Sequence, residues 1–112
     1  MSQVVNCLIV DDEPIACEII EGYLNKISQA NVVASCQSAI QAMEVLNDNS
    51  IDLVFLDIHM PELSGLALAR LIGGNTQIIF TTAYREHAID GFDLKAVDYL
   101  LKPISFERFV QA

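Results

Sequence analysis

The sequence predicts an α/β domain, a (βα)5 doubly wound parallel sheet of five strands. Two observations lead there. Short apolar runs alternate with stretches of helical period along the whole chain. The apolar runs are also nearly unbroken, as in Leu53–Leu56, which suits strands covered on both faces by right-handed crossover helices. A length of 112 residues fits one domain, residues 1–112, large enough to build a core without staples.

The elements follow in order. Asn6–Val10 is the first strand. Pro14–Ile27 is a helix with Ile15, Ile19, Ile20, Tyr23, Leu24 and Ile27 on one face, Pro14 in its first turn and Asp12 as its cap. Asn31–Cys36 is the second strand, and Ala39, Met43 and Leu46 mark a second helix capped by Ser38. Ile51–Leu56 is the third strand. A loop from His59 to Ser64 leads to a short helix, Gly65–Ile72, with Leu68 and Ile72 inward, stopped by Gly73 and Gly74. Gln77–Thr81 is the fourth strand and Glu86–Phe92 a short helix without a strong apolar stripe. Val97–Leu101 is the fifth strand, ended by Pro103, and Ser105–Ala112 begins a last helix. That helix is short, so the native chain is expected to continue past Ala112 and this is read as an excised N-terminal segment.

Composition narrows the function. Hydrophobic residues make up 53% and charged residues 19%, which excludes a disordered chain. No apolar run approaches the roughly 18 residues of a membrane span, and Met1 to Asn6 do not open a secretory signal, so a cytoplasmic location is expected. Six Lys+Arg against fifteen Asp+Glu give a net charge of −9, which opposes direct binding of nucleic acid. Cys7, Cys17 and Cys36 are an odd set without a C-x-x-C pair and read as reduced packing residues.

The polar residues gather at strand ends. The first strand runs into Asp11-Asp12-Glu13, the third into Asp57, the fourth into Thr81-Thr82 and the fifth into Lys102-Pro103. In an open parallel sheet those ends share one edge, and in the flavodoxin-like order 2-1-3-4-5 the aspartates meet at the switch point, where such sheets bind ligands. Carboxylates about 4 Å apart repel by roughly 4 kcal/mol per pair at an effective dielectric near 20, so the cluster wants protons or a cation. Mg²⁺, which takes one or two carboxylates and keeps several waters, fits better than a full Ca²⁺ cage, and His59 and His87 are too far apart for a local zinc pair. A cation beside an exposed carboxylate permits in-line phosphoryl transfer onto that carboxylate, with Thr82 and Lys102 available to hold the remaining oxygens. No Gly-rich phosphate loop is present, so ATP binding is not expected.

These segments resemble the receiver domain of two-component response regulators, whose fold is CheY-like and flavodoxin-like. The matching residues are Val10-Asp11-Asp12-Glu13, Leu56-Asp57-Ile58-His59-Met60-Pro61 with Gly65, Thr82-Ala83, and Asp98-Tyr99-Leu100-Leu101-Lys102-Pro103, and they cover essentially the whole chain. Phe80-Thr81-Thr82-Ala83-Tyr84, then Ala88, Phe92, Ala96 and the run to Ile104, is similar to the LytTR (LytR/AlgR) subclass, in which a DNA-binding domain follows the receiver.

The resemblance implies that Asp57 is the phosphoacceptor and Asp12 a direct Mg²⁺ ligand. Asp11 would act through water and His59 through its backbone carbonyl. Lys102 would pair with the phosphoryl group, the Lys102–Pro103 bond would be cis, and Thr82 and Tyr99 would form a switch pair. It implies a histidine kinase as phosphodonor, a dimer through helix 4 (Glu86–Phe92), strand 5 (Val97–Leu101) and helix 5 (Ser105–Ala112), and DNA contact only through a missing C-terminal domain that regulates transcription. Chemistry would be limited to self-phosphorylation and slow dephosphorylation.

Three other readings stand beside it. A phosphorylation-independent interaction module of the same fold would lack the need for Mg²⁺. A phosphatase of the haloacid-dehalogenase type would want an acid two residues after the nucleophile, where His59 stands. A flavin-binding variant would want a phosphate-cradling loop after the first strand.

Overall fold

The computed structural model describes residues 4–58, 60, 65–72, 76–82 and 98–101. Five parallel strands form one sheet: β1 (Val5–Val10), β2 (Ala30–Cys36), β3 (Leu53–Asp57), β4 (Gln77–Thr82) and β5 (Asp98–Leu101). Their order is β2-β1-β3-β4-β5, the doubly wound topology the sequence predicts. Three helices are described among them: α1 (Pro14–Leu24), α2 (Ala39–Asp48) and α3 (Gly65–Leu71). The expected helices at Glu86–Phe92 and Ser105–Ala112 lie outside the described residues.

The pleat sorts the strand residues by parity, since successive side chains point to opposite faces. Leu8, Val10, Val54, Leu56, Ile58, Ile78 and Phe80 pack with Ala39 and Ala42 of α2 and Leu68 and Ala69 of α3. Cys7, Ile9, Phe55 and Ile79 pack on the other face with Cys17, Ile20 and Leu24 of α1. Covering both faces explains why the central strands show no polar alternation. The pairing of β1 with β2 slips between Cys7, partnered by Val32, and Leu8, partnered by Ala34, so Val33 is an extra residue on the outer strand.

The helix faces differ from those expected. Ile15 and Ile19 are 71% and 41% exposed, and the buried seam of α1 is Cys17, Ile20 and Leu24, with Tyr23 and Ile27 packed against it. The seam turns on Cys17, a small residue whose thiol reaches the backbone carbonyls of Asp11 at 3.5 Å and Cys36 at 3.9 Å. That close approach is open to a cysteine and turns Ile15 and Ile19 outward while Ile20 stays in the seam. The helix ends at Leu24 rather than Ile27, because Lys26 and Ile27 donate to the carbonyls of Tyr23 and Leu24 and tighten the last turn. In α2 the small Ala39 and Ala42 are buried and Met43 is 44% exposed, with Leu46 half-buried.

The caps also divide. Asp12 does not cap α1: the cap position is Glu13, which makes no side-chain cap bond, and Pro14 opens the helix. Ser38 does cap α2, its hydroxyl accepting from the Gln41 backbone N–H at 3.2 Å, while the Gln41 side chain accepts from the Gln37 N–H at 3.1 Å. Ser38→Ala should cost about 1 kcal/mol, read as a lower urea midpoint at constant m-value.

At the far end of the sheet, Asp52 bridges strands rather than continuing one. Its carboxylate accepts from the Asn6 N–H at 2.8 Å and its own N–H donates to the Asn6 carbonyl at 2.9 Å. Thus β3 starts at Leu53 rather than Ile51, and Ile51 is nevertheless buried. The three cysteines are buried and form no disulfide. Burial pushes the thiols of Cys7 and Cys36 up, helped by the negative charges of Asp52 and Glu44 respectively, so both stay protonated packing groups.

Candidate functional site

The site lies where strand order reverses, at the carboxyl ends of β1 and β3. Val10 is partnered by Leu56 across these strands, so the next residue on each side sets Asp11 beside Asp57. Asp57 is the last residue of β3, held in the sheet by the pairing with Thr81 and by the Ile58 N–H donating to the Thr81 carbonyl at 3.1 Å. Asp11 is fixed by its own backbone, which donates to the Cys36 carbonyl at 3.0 Å. One Asp11 carboxylate oxygen accepts from the Glu13 N–H at 2.9 Å, an aspartate turn that steers the chain from β1 into α1.

Asp11, Asp12 and Asp57 each offer a carboxylate oxygen, and these oxygens all lie within 4.8 Å of one another. Asp11 and Asp57 are 1% and 3% exposed, whereas Asp12 faces solvent. Two nearly dry carboxylates and one wet one, at this separation, repel in a setting that water screens poorly. The donor set is all oxygen and open on one side, which suits a hard divalent cation that keeps part of its water shell. Thr82 is fully buried at the end of β4, and Tyr99 is placed beside Phe80 in the β4–β5 register. His59, Lys102 and Pro103 lie outside the described residues.

Sequence reasoning gathered Asp11, Asp12, Asp57 and Thr82 at one edge. It passed over Thr81 as a site residue. Thr81 is 1% exposed and is the β4 partner of Asp57, and its hydroxyl makes no hydrogen bond. The available signal was register: with Leu56 opposite Phe80, Thr81 falls beside Asp57.

Comparison with known proteins agrees with this geometry. The family model described as "Response regulator receiver domain" matches residues 7–112. The sensory transduction protein LytR of Staphylococcus haemolyticus is 44% identical over 108 residues, covering 94% of this chain and 42% of that protein. The transcriptional regulatory protein BtsR of Escherichia coli is 39% identical over 106 residues, covering 93% of this chain and 44% of its own length. This chain therefore spans less than half of either relative. Among solved structures, the response regulatory domain of protein mrkE from Klebsiella pneumoniae superposes with a TM-score of 0.87 at 34% identity, covering 96% of this chain and 90% of that one. Fold, acidic edge and relatives converge, and the chain belongs to the response regulator receiver domain family as a two-component receiver.

Proposed function

We propose that this receiver accepts a phosphoryl group on Asp57. The observation that carries the reading is the meeting of Asp11, Asp12 and Asp57 within 4.8 Å at the switch point of the sheet. Asp12, Asp57 and the backbone carbonyl of His59 would hold Mg²⁺ directly and Asp11 through water. The bound ion would supply charge neutralisation for the incoming phosphoryl oxygens. Asp57 is fixed at a strand end, so its carboxylate meets a donor in one orientation.

The donor is a phosphohistidine of a sensor kinase. One Asp57 carboxylate oxygen attacks phosphorus in line, the P–N bond breaks, and the imidazole leaves with its electron pair and takes up a proton. The product is an acyl phosphate. The Lys102 ammonium and the Thr82 hydroxyl hold its oxygens. Thr82 moves toward the phosphoryl group and Tyr99 fills the vacated space. The added charge and acceptor oxygens bias the surface of helix 4, strand 5 and helix 5 toward a dimer.

Residues 1–112 act as a single receiver within a longer cytoplasmic regulator of the LytTR type, which reaches DNA through its output domain to control transcription. Support comes from the relatives LytR and BtsR, each more than twice the matched length. Turnover of outside substrates is not part of this function.

The test is incubation with acetyl phosphate, with and without Mg²⁺, followed by intact mass. The expected result is one phosphoryl group per chain, whose uptake needs Mg²⁺ and which is lost slowly to water on standing. A mass unchanged under both conditions, with spectra unmoved by Mg²⁺, would instead make the chain a phosphate-independent interaction module.

A further inference from the structure

The row of residues across the sheet edge is longer than the acidic cluster. Asp11, one residue past the end of β1, Asp57 on β3 and Thr81 on β4 continue one register row on the face covered by α1. Register partners in a parallel sheet place their side chains on the same face, one strand spacing of about 4.8 Å apart. All three are at most 3% exposed.

Thr81 is the anomaly in this row. Its hydroxyl is buried and has no hydrogen-bond partner, a state that native proteins seldom leave unexplained. Below it on the same face is buried, apolar Ile79, and its β5 partner is apolar Leu100. A valine of nearly the same shape would fill the position without stranding a polar atom. The acceptors nearest in the row belong to Asp57.

We propose that Thr81 is a phosphoryl-binding residue: its hydroxyl donates to an oxygen of phosphorylated Asp57. This rests on Asp57 being the phosphoacceptor. While Asp57 is unmodified the hydroxyl finds no acceptor. The modification adds acceptor oxygens at the strand end beside it, and the buried donor meets them already stripped of water. Thr81 and Thr82 leave β4 on opposite faces, so the two hydroxyls grip the phosphoryl group from different sides of the strand.

The experiment compares the parent with Thr81→Val and Thr81→Ser. Each is labelled with acetyl phosphate and Mg²⁺, the steady-state occupancy and phosphoryl half-life are measured, and unfolding of the unmodified protein is followed in urea. Thr81→Val should lower occupancy or half-life about tenfold, the scale of one hydrogen bond to a charged acceptor, while the unmodified protein is as stable as the parent or more so. Thr81→Ser should keep the parent's phosphoryl half-life. A Val variant that labels and holds phosphate like the parent overturns the proposal, and so does a Ser variant that fails as Val does. If the parent itself takes no label, the phosphoacceptor reading falls first and this inference with it.

Discussion

Asp57→Asn should take up no phosphoryl group from acetyl phosphate while keeping the fold. Asparagine preserves the shape of the side chain but its amide oxygen is a poor nucleophile and cannot form the acyl phosphate. Intact mass should return the unlabelled value at every time and Mg²⁺ concentration. The same variant removes one negative charge from a cluster within 4.8 Å, two of whose members are almost free of solvent. Its urea midpoint in the absence of divalent ions should therefore equal or exceed the parent's. Labelling equal to the parent would move the acceptor elsewhere, and labelling lost together with stability would point to a merely structural aspartate.

The second large effect is on stability. Phe80 is fully buried in the cluster under α2 and α3, and is the largest side chain in the core with less than 2% exposure. Phe80→Ala should cost about 3 to 5 kcal/mol, through lost burial and the cavity left between the sheet and the helices. Since a domain of this kind has roughly 5 to 15 kcal/mol in all, the variant should unfold at a much lower urea concentration with the same m-value. Ile15→Ala is the contrast. At 71% exposure it should shift stability by no more than about 0.5 kcal/mol. Equal effects at the two positions would put α1 in the orientation that its isoleucines alone suggest.

The sheet was legible because a strand covered on both faces leaves a continuous apolar run, and β1, β3 and β4 have such runs. The acidic edge was legible for a related reason, since each run ends in a polar residue that a buried strand would exclude. The orientation of the helices was not. On α1, Cys17 competes with Ile15 and Ile19 for the core, and hydrophobicity favours the isoleucines. Close contact of Cys17 with two backbone carbonyls decides otherwise, and that is a property of the assembled layers. The same holds for Ala42 over Met43, where proximity of helix to sheet favours the smaller residue. Asp12 looked like a cap because it precedes a proline-started helix, but the chain turns through Asp11 instead. Thr81 escaped notice as a site residue because its meaning depends on a register between strands that lie far apart in sequence.

Asn6 and Asp52 tie together segments 46 positions apart, and the strands that begin beside them lead to the aspartates at their other ends. No portion of the chain shorter than that loop can assemble the acidic constellation. A nascent or partly unfolded chain thus lacks the assembled cluster, whose side chains meet only after that long-range closure. The same closure presses like charges together, so a divalent ion that binds only the finished constellation stabilises folding by mass action. With such an ion bound, its supply and the maturation of the chain would form one linked equilibrium.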